Sequence, residues 1–85
     1  MSEEVKLHPH AQDRLSERGV TEEEVAATVK EGEKFPARFD RMGFRRNFPF
    51  GKLWRGRRFS TKQVEAICVW EDECWLVITV ITRYY

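Results

Sequence analysis

Eighty-five residues with 41% hydrophobic and 13% aromatic content suit one domain, residues 1–85, with a modest core, and exclude a disordered chain. No apolar run approaches the ~20 residues needed to cross a bilayer. The formal net charge of +1 conceals an asymmetry: nine Lys/Arg face a single acid, Asp40, between Arg38 and Lys62, whereas nine acids outnumber five bases before Arg38.

The opening "MSEEVKLHPH" is acidic and has no apolar h-region, so it is not read as a signal peptide, and a cytoplasmic location is the expectation. The first predicted element is a helix from Pro9 to Arg18, with proline at its first position and Gly19 just past its end. His10, Arg14 and Arg18 are spaced by four and share one face, while Ala11 and Leu15 supply the apolar contact. A second helix follows in "TEEEVAATVKEG". Thr21 and Glu24 form a capping box, Glu22 and Glu23 favour the positive helix start, and Gly32 closes it. Val25 and Val29, with Ala26 beside them, face the first helix.

From Phe35 onward, aromatics recur between glycine and proline breaks, the pattern of short strands and turns. Gly43 and Gly51 are read as turns, and Gly56 as a turn or bulge. "TKQVEAICVW" alternates and then becomes apolar on both faces, as a central strand does. "CWLVITVITRYY" follows an acidic turn. Strict alternation there puts Leu76, Ile78 and Val80 on the helix side and Trp75, Val77, Thr79, Ile81 and Arg83 on the open side. The expected architecture is α+β, with two N-terminal helices packed on one side of a four-stranded antiparallel sheet. Cys68 and Cys74 flank the acidic turn and are read as reduced thiols, with a bridge between them as the less favoured alternative. No CxxC spacing is present, and the His8–His10 pair lacks an evident third ligand, so neither metal nor cofactor is expected.

"HAQDRLSERGVTEEEV" resembles the signature of a group of small bacterial domains of unknown function, on His10, Ala11, Arg14, Leu15, Arg18, Gly19, Val20, Thr21 and Val25. "WLVITVITRYY" is similar to the group's closing strand. The group is placed with the RelE-like toxins, in a wider set of compact RNases that includes barnase, EndoU and the colicin RNase domains. The resemblance implies two helices on a four-stranded antiparallel sheet, RNA cleavage without metal, and an acidic antitoxin as partner.

Metal-free RNA cleavage needs a proton acceptor for the 2′-hydroxyl, charge stabilisation on the phosphate and a proton for the leaving oxygen. His10 is the candidate acid or base and Arg14 the phosphate ligand, with Lys62, Thr79 and Arg83 closing the site from the strands. The segment "FRRNFPFGKLWRGRRFS" interleaves cations with rings, and Arg45, Arg46, Lys52, Trp54, Arg55, Arg57 and Arg58 are the candidate RNA contacts. The blander readings make His10 a helix cap, Arg14 and Arg18 surface ion-pair partners of Asp13, Glu17 or the second helix, and the rings core. The functional alternative is a non-catalytic module of the same fold that binds an acidic protein or a nucleic acid. One tension stands: Thr79 and Arg83 point away from the helices, so His10 joins them only if its helix lies at the edge of the sheet. Otherwise an open-face site would use Lys62, Arg83 and the arginines at 55, 57 and 58.

Overall fold

A computed structural model describes residues 4–85. Strand β1 (Glu4–Leu7) leads into helix α1 (Pro9–Arg18) and helix α2 (Glu22–Glu31), followed by β2 (Glu33–Pro36), β3 (Met42–Trp54), β4 (Arg57–Glu71) and β5 (Cys74–Tyr84). The strands form one five-stranded sheet in the order β1-β5-β4-β3-β2. The class is α+β, as the pattern implied. The sheet, however, has five strands and is mixed: β1 runs parallel to β5, and the other pairs are antiparallel.

Both helices end and begin as their sequences dictate. His8 is the N-cap of α1, and its Nδ1 accepts from the backbone N–H of His10 at 3.1 Å. Gly19 closes α1 in the left-handed region, with φ 71°. A Cβ there would lie 2.5 Å from both the Trp54 ring and the Tyr84 hydroxyl oxygen, so glycine is needed for close approach as well as for φ. Thr21 and Glu24 complete the capping box of α2 in both directions.

The core lies between the helices and one face of the sheet. Ala11, Leu15, Val20, Val25 and Val29 meet Phe44 of β3, Val64, Ala66 and Cys68 of β4, and Trp75, Val77 and Val80 of β5. That set corrects the strict alternation expected in β5. Ile67 pairs with Thr79 but Cys68 pairs with Val77, so Ile78 is an extra residue. This bulge switches the phase of the strand. Trp75 and Val77 face the helices before it, and Val80 faces them after it. Thr79, Ile81 and Arg83 remain on the open side.

Gly43 is not in a turn. It sits inside β3, where a Cβ would collide with the Phe35 ring at 2.3 Å. Gly51 lies at an irregularity within β3 between Pro49 and Lys52, and Arg55–Gly56 form the turn to β4, both at positive φ. Both cysteines are free and buried. Burial pushes the Cys68 thiol up to about 12, so it stays protonated and unreactive near neutral pH. No helix among the described residues is long and apolar enough to cross a membrane.

Candidate functional site

β1 covers only the first part of β5, from Cys74 to Val77, and His8 N–H then donates to Val77 O at 2.9 Å. The chain turns there into α1, which runs beside the second half of β5. The helix therefore flanks an edge of the β5 strand, and this resolves the tension between His10 and the strand residues. His10, Arg14 and Arg18 line a narrow cleft of about 60 Å³ with Ile78 and Thr79 at the bulge and Val80 beyond it. His8, His10 and Arg41 line an adjoining groove of about 280 Å³ that also touches Ile78 and Thr79. Arg18 also borders a third hollow of about 250 Å³, lined by Glu17, Trp54, Arg55, Thr82 and Tyr84.

The row on α1 is thus aligned along a groove. His8, not His10, is the N-cap, which leaves the His10 imidazole exposed in the groove. Arg14, Arg18 and Arg41 form no ion pair with any described residue. The pairing expected of Arg14 and Arg18 with nearby carboxylates is absent there. Arg18 Nε is buried and has no hydrogen-bond acceptor. An unsatisfied buried donor costs about 1–3 kcal/mol, more for a charged group.

The C-terminus of α1 is held from below by groups that compensate its exposed carbonyls. Arg18 O accepts from Thr82 Oγ1 at 3.0 Å and from the Tyr84 hydroxyl at 2.9 Å. Glu17 O accepts from Arg55 at 3.1 Å, and Gly19 O from Lys62 Nζ at 2.9 Å. Tyr84 is packed against Trp54, Phe50 and Phe59. Burial raises its hydroxyl above the usual tyrosine range and the Glu24 charge adds to this, while the Thr82 hydrogen bond and Arg55 act in the opposite direction.

The other anticipated residues divide sharply. Lys62 is 6% exposed and lies on the helix side of β4. Its Nζ donates to Glu24 Oε1 at 2.8 Å as well as to Gly19 O, so it is a buried brace between the helix hairpin and the sheet, away from the groove. Arg83 is on the open face, paired with the buried carboxylate of Glu65, and does not line the groove. Arg45 pairs with Glu33 at 2.7 Å and Arg46 with Glu31 at 3.2 Å. Trp54 is stacked on Tyr84 at 4.9 Å, with the Arg55 guanidinium 5.2 Å from its ring, which leaves little ring face for a base. Lys52, Arg57 and Arg58 are exposed near the β3–β4 turn; Arg58 donates to Gly51 O at 3.2 Å and Arg57 lies against the Phe59 ring. Of the five residues assigned to chemistry, then, His10, Arg14 and Thr79 come together, and Lys62 and Arg83 do not.

Arg41 and Phe39 were missed as site residues. Both belong to the segment between β2 and β3, and only its basic, aromatic composition marked it in the sequence. Nothing local shows that this loop folds across the open face as far as Thr79.

A family model described as Domain of unknown function (DUF4258) matches residues 7–82. The chain belongs to that family. The matched segment contains every groove residue from His8 to Thr82 and stops short of Arg83 and Tyr84. No curated protein and no solved structure matches the chain.

Proposed function

We propose that this chain is a RelE-like RNA-binding domain that cleaves single-stranded RNA without metal in the groove between α1 and β5. The carrying observation is the sorting of its cations. Arg45, Arg46, Lys62 and Arg83 have carboxylate partners, whereas Arg14, Arg18 and Arg41 have none and line the groove beside His10; Lys52, Arg57 and Arg58 at the β3–β4 turn also have none, but they do not line the groove with a histidine. Leaving the groove charges unpaired costs little if a polyanion is their partner.

In the proposed reaction His10 takes the proton from the 2′-hydroxyl. Histidine is the side chain whose ordinary proton equilibrium lies nearest neutrality. The 2′-oxygen attacks phosphorus, the bond to the 5′-oxygen breaks, and a 2′,3′-cyclic phosphate remains. The leaving oxygen takes a proton from protonated His10 or from water. Arg14 and Arg18 stabilise the charge that develops on the phosphate, which is the role of preorganised cations in phosphoryl chemistry. Thr79 lines the groove with His10 and Arg14, and its hydroxyl is a hydrogen-bond donor suited to a phosphate oxygen. The resemblance of "HAQDRLSERG" to the toxin-related signature supports this reading, and an acidic antitoxin covering the same cations is the protein partner it entails.

The test is cleavage of mixed single-stranded RNA in EDTA. The chain should yield 2′,3′-cyclic ends, His10→Ala should lower the rate about 100-fold or more, and Arg14→Ala about 10- to 100-fold. Equal background rates in all three proteins, with RNA still bound, would leave the non-catalytic binding module of the same fold as the function.

A further inference from the structure

The segment Ala37–Arg41 connects β2 to β3 as a tight loop, closed by hydrogen bonds from Ala37 N–H to Arg41 O at 2.9 Å and from Arg41 N–H to Arg38 O at 3.2 Å. At its tip Phe39 and Asp40 both adopt positive φ, 60° and 58°. For a bulky aromatic this conformation is an outlier, and each such residue costs on the order of 1–3 kcal/mol. Burial does not offset the cost, since Phe39 is 82% exposed. Two consecutive positive φ values closed by the Arg41 N–H to Arg38 O bond are the geometry of a two-residue hairpin turn, which accounts for the strain and leaves the Phe39 ring exposed at its tip.

Beneath this loop lies a hollow of about 400 Å³, lined by Ala37, Arg38, Phe39, Arg41, Ile67 and Thr79. Its size is in the low part of the range of about 300–1,000 Å³ for small-ligand sites. Its walls are apolar where Phe39, Ala37 and Ile67 stand and cationic at Arg38 and Arg41. It adjoins the groove already described: Arg41 borders both it and the His8–His10 groove, and Thr79 borders both of these and the Arg14–Arg18 cleft.

We infer that this hollow is a nucleobase subsite, in which an unpaired base lies between Phe39 and Ile67 while its adjoining phosphate reaches Arg41 and His10. The inference rests on the RNA reading of the groove and adds a base-binding position to it. Single-stranded RNA supplies both chemistries within one nucleotide: the π-face of a splayed base suits an exposed ring, and the phosphate beside it suits the arginine. A paired duplex hides its bases and would use only the cations. The Arg41 guanidinium lies 5.6 Å from the Phe39 ring, but Phe39 is 82% exposed, so much of its ring stays accessible to a base. Trp54 is stacked on Tyr84, and Phe44 packs against Trp75.

The test uses the full chain and a short 2′-O-methyl RNA, which binds but lacks the free 2′-hydroxyl. The RNA carries 2-aminopurine at each position in turn, and a matched strand is abasic there. The wild type should quench 2-aminopurine at one position. Phe39→Ala should abolish the quenching and weaken binding of the base-containing strand about 5- to 100-fold, the scale of one lost base–aromatic stack. It should leave binding of the abasic strand unchanged, and Phe39→Tyr should restore both readouts. Because Phe39 is exposed, circular dichroism and melting should match the wild type in both variants. If Phe39→Ala binds both strands as the wild type does, or weakens both equally, the subsite is overturned. Loss of binding in Arg14→Ala within the same titrations would then show that the groove reading survives. If the wild type binds neither strand, the groove reading and the subsite are overturned together.

Discussion

Lys62 shows why residue type alone did not locate the site. Its Nζ holds the Glu24 carboxylate and the Gly19 carbonyl, and Glu24 simultaneously closes the capping box of α2. One buried ammonium thus ties the hairpin between the helices to the start of the long run of β4. Removing one partner of a buried pair strands the other, which costs about 3–5 kcal/mol in such sites. Lys62→Met should therefore lower stability by roughly 3 kcal/mol, and a urea titration followed by circular dichroism measures it. An unchanged midpoint would show that Lys62 braces nothing. The burial was legible in principle: Lys62, Val64, Ala66 and Cys68 recur with period two, so the lysine shares the core face. Its partner was not legible, because Glu24 is 38 residues away in the chain. The cap on His8 was hidden for another reason. Serine, threonine, asparagine and aspartate dominate that position, and a histidine whose Nδ1 accepts a backbone hydrogen bond carries no such signature.

At the scale of elements, the helices were legible to their last residues, since Pro9, Gly19, Thr21, Glu24 and Gly32 mark their ends by known stereochemistry. β1 was not. Its four residues, "EVKL", are short and half charged, and a parallel partner 70 residues along the chain leaves no local trace. The bulge at Ile78 was equally silent, because "LVITVIT" is β-branched or apolar at every position and an inserted residue does not interrupt the run. Yet these two features border the groove: β1 ends early and leaves α1 beside β5, and the bulged Ile78 and its neighbour Thr79 form the wall facing His10. The central strands also set a pH dependence. Burial in β4 raises the Cys68 thiol from 9.0 to about 12, so the folded chain keeps a proton that the unfolded chain loses first. Its contribution is complete below about pH 9 and declines as pH rises towards 12. The upward shift of Tyr84 acts in the same direction. Urea midpoints should be level up to about pH 9 and fall above it, with a shallower fall in Cys68→Val; a profile that stays flat through pH 11, or identical slopes in the two proteins, would contradict this.

For the molecule as a whole, the charge asymmetry of the sequence is real but misleading about place. The basic middle of the chain faces its acidic beginning, and Glu33, Glu31 and Glu24 neutralise Arg45, Arg46 and Lys62. What remains without a carboxylate along the α1–β5 groove comes from three separate stretches: Arg14 and Arg18 on α1, Arg41 in the loop before β3, and Arg55 in the β3–β4 turn. A composition count weighs all cations equally, and only packing tells which of them are spent on folding. The central claim is that RNA lies in this groove. It is tested most directly by titrating the isotopically labelled chain with a short 2′-O-methyl single-stranded RNA and following backbone amides by NMR. The groove assignment predicts shifts confined to α1, the Ala37–Arg41 loop and Ile78–Tyr84, weakened by added salt. Shifts centred on Lys52, Arg57 and Arg58 with α1 unmoved, or no shifts at all, would contradict it.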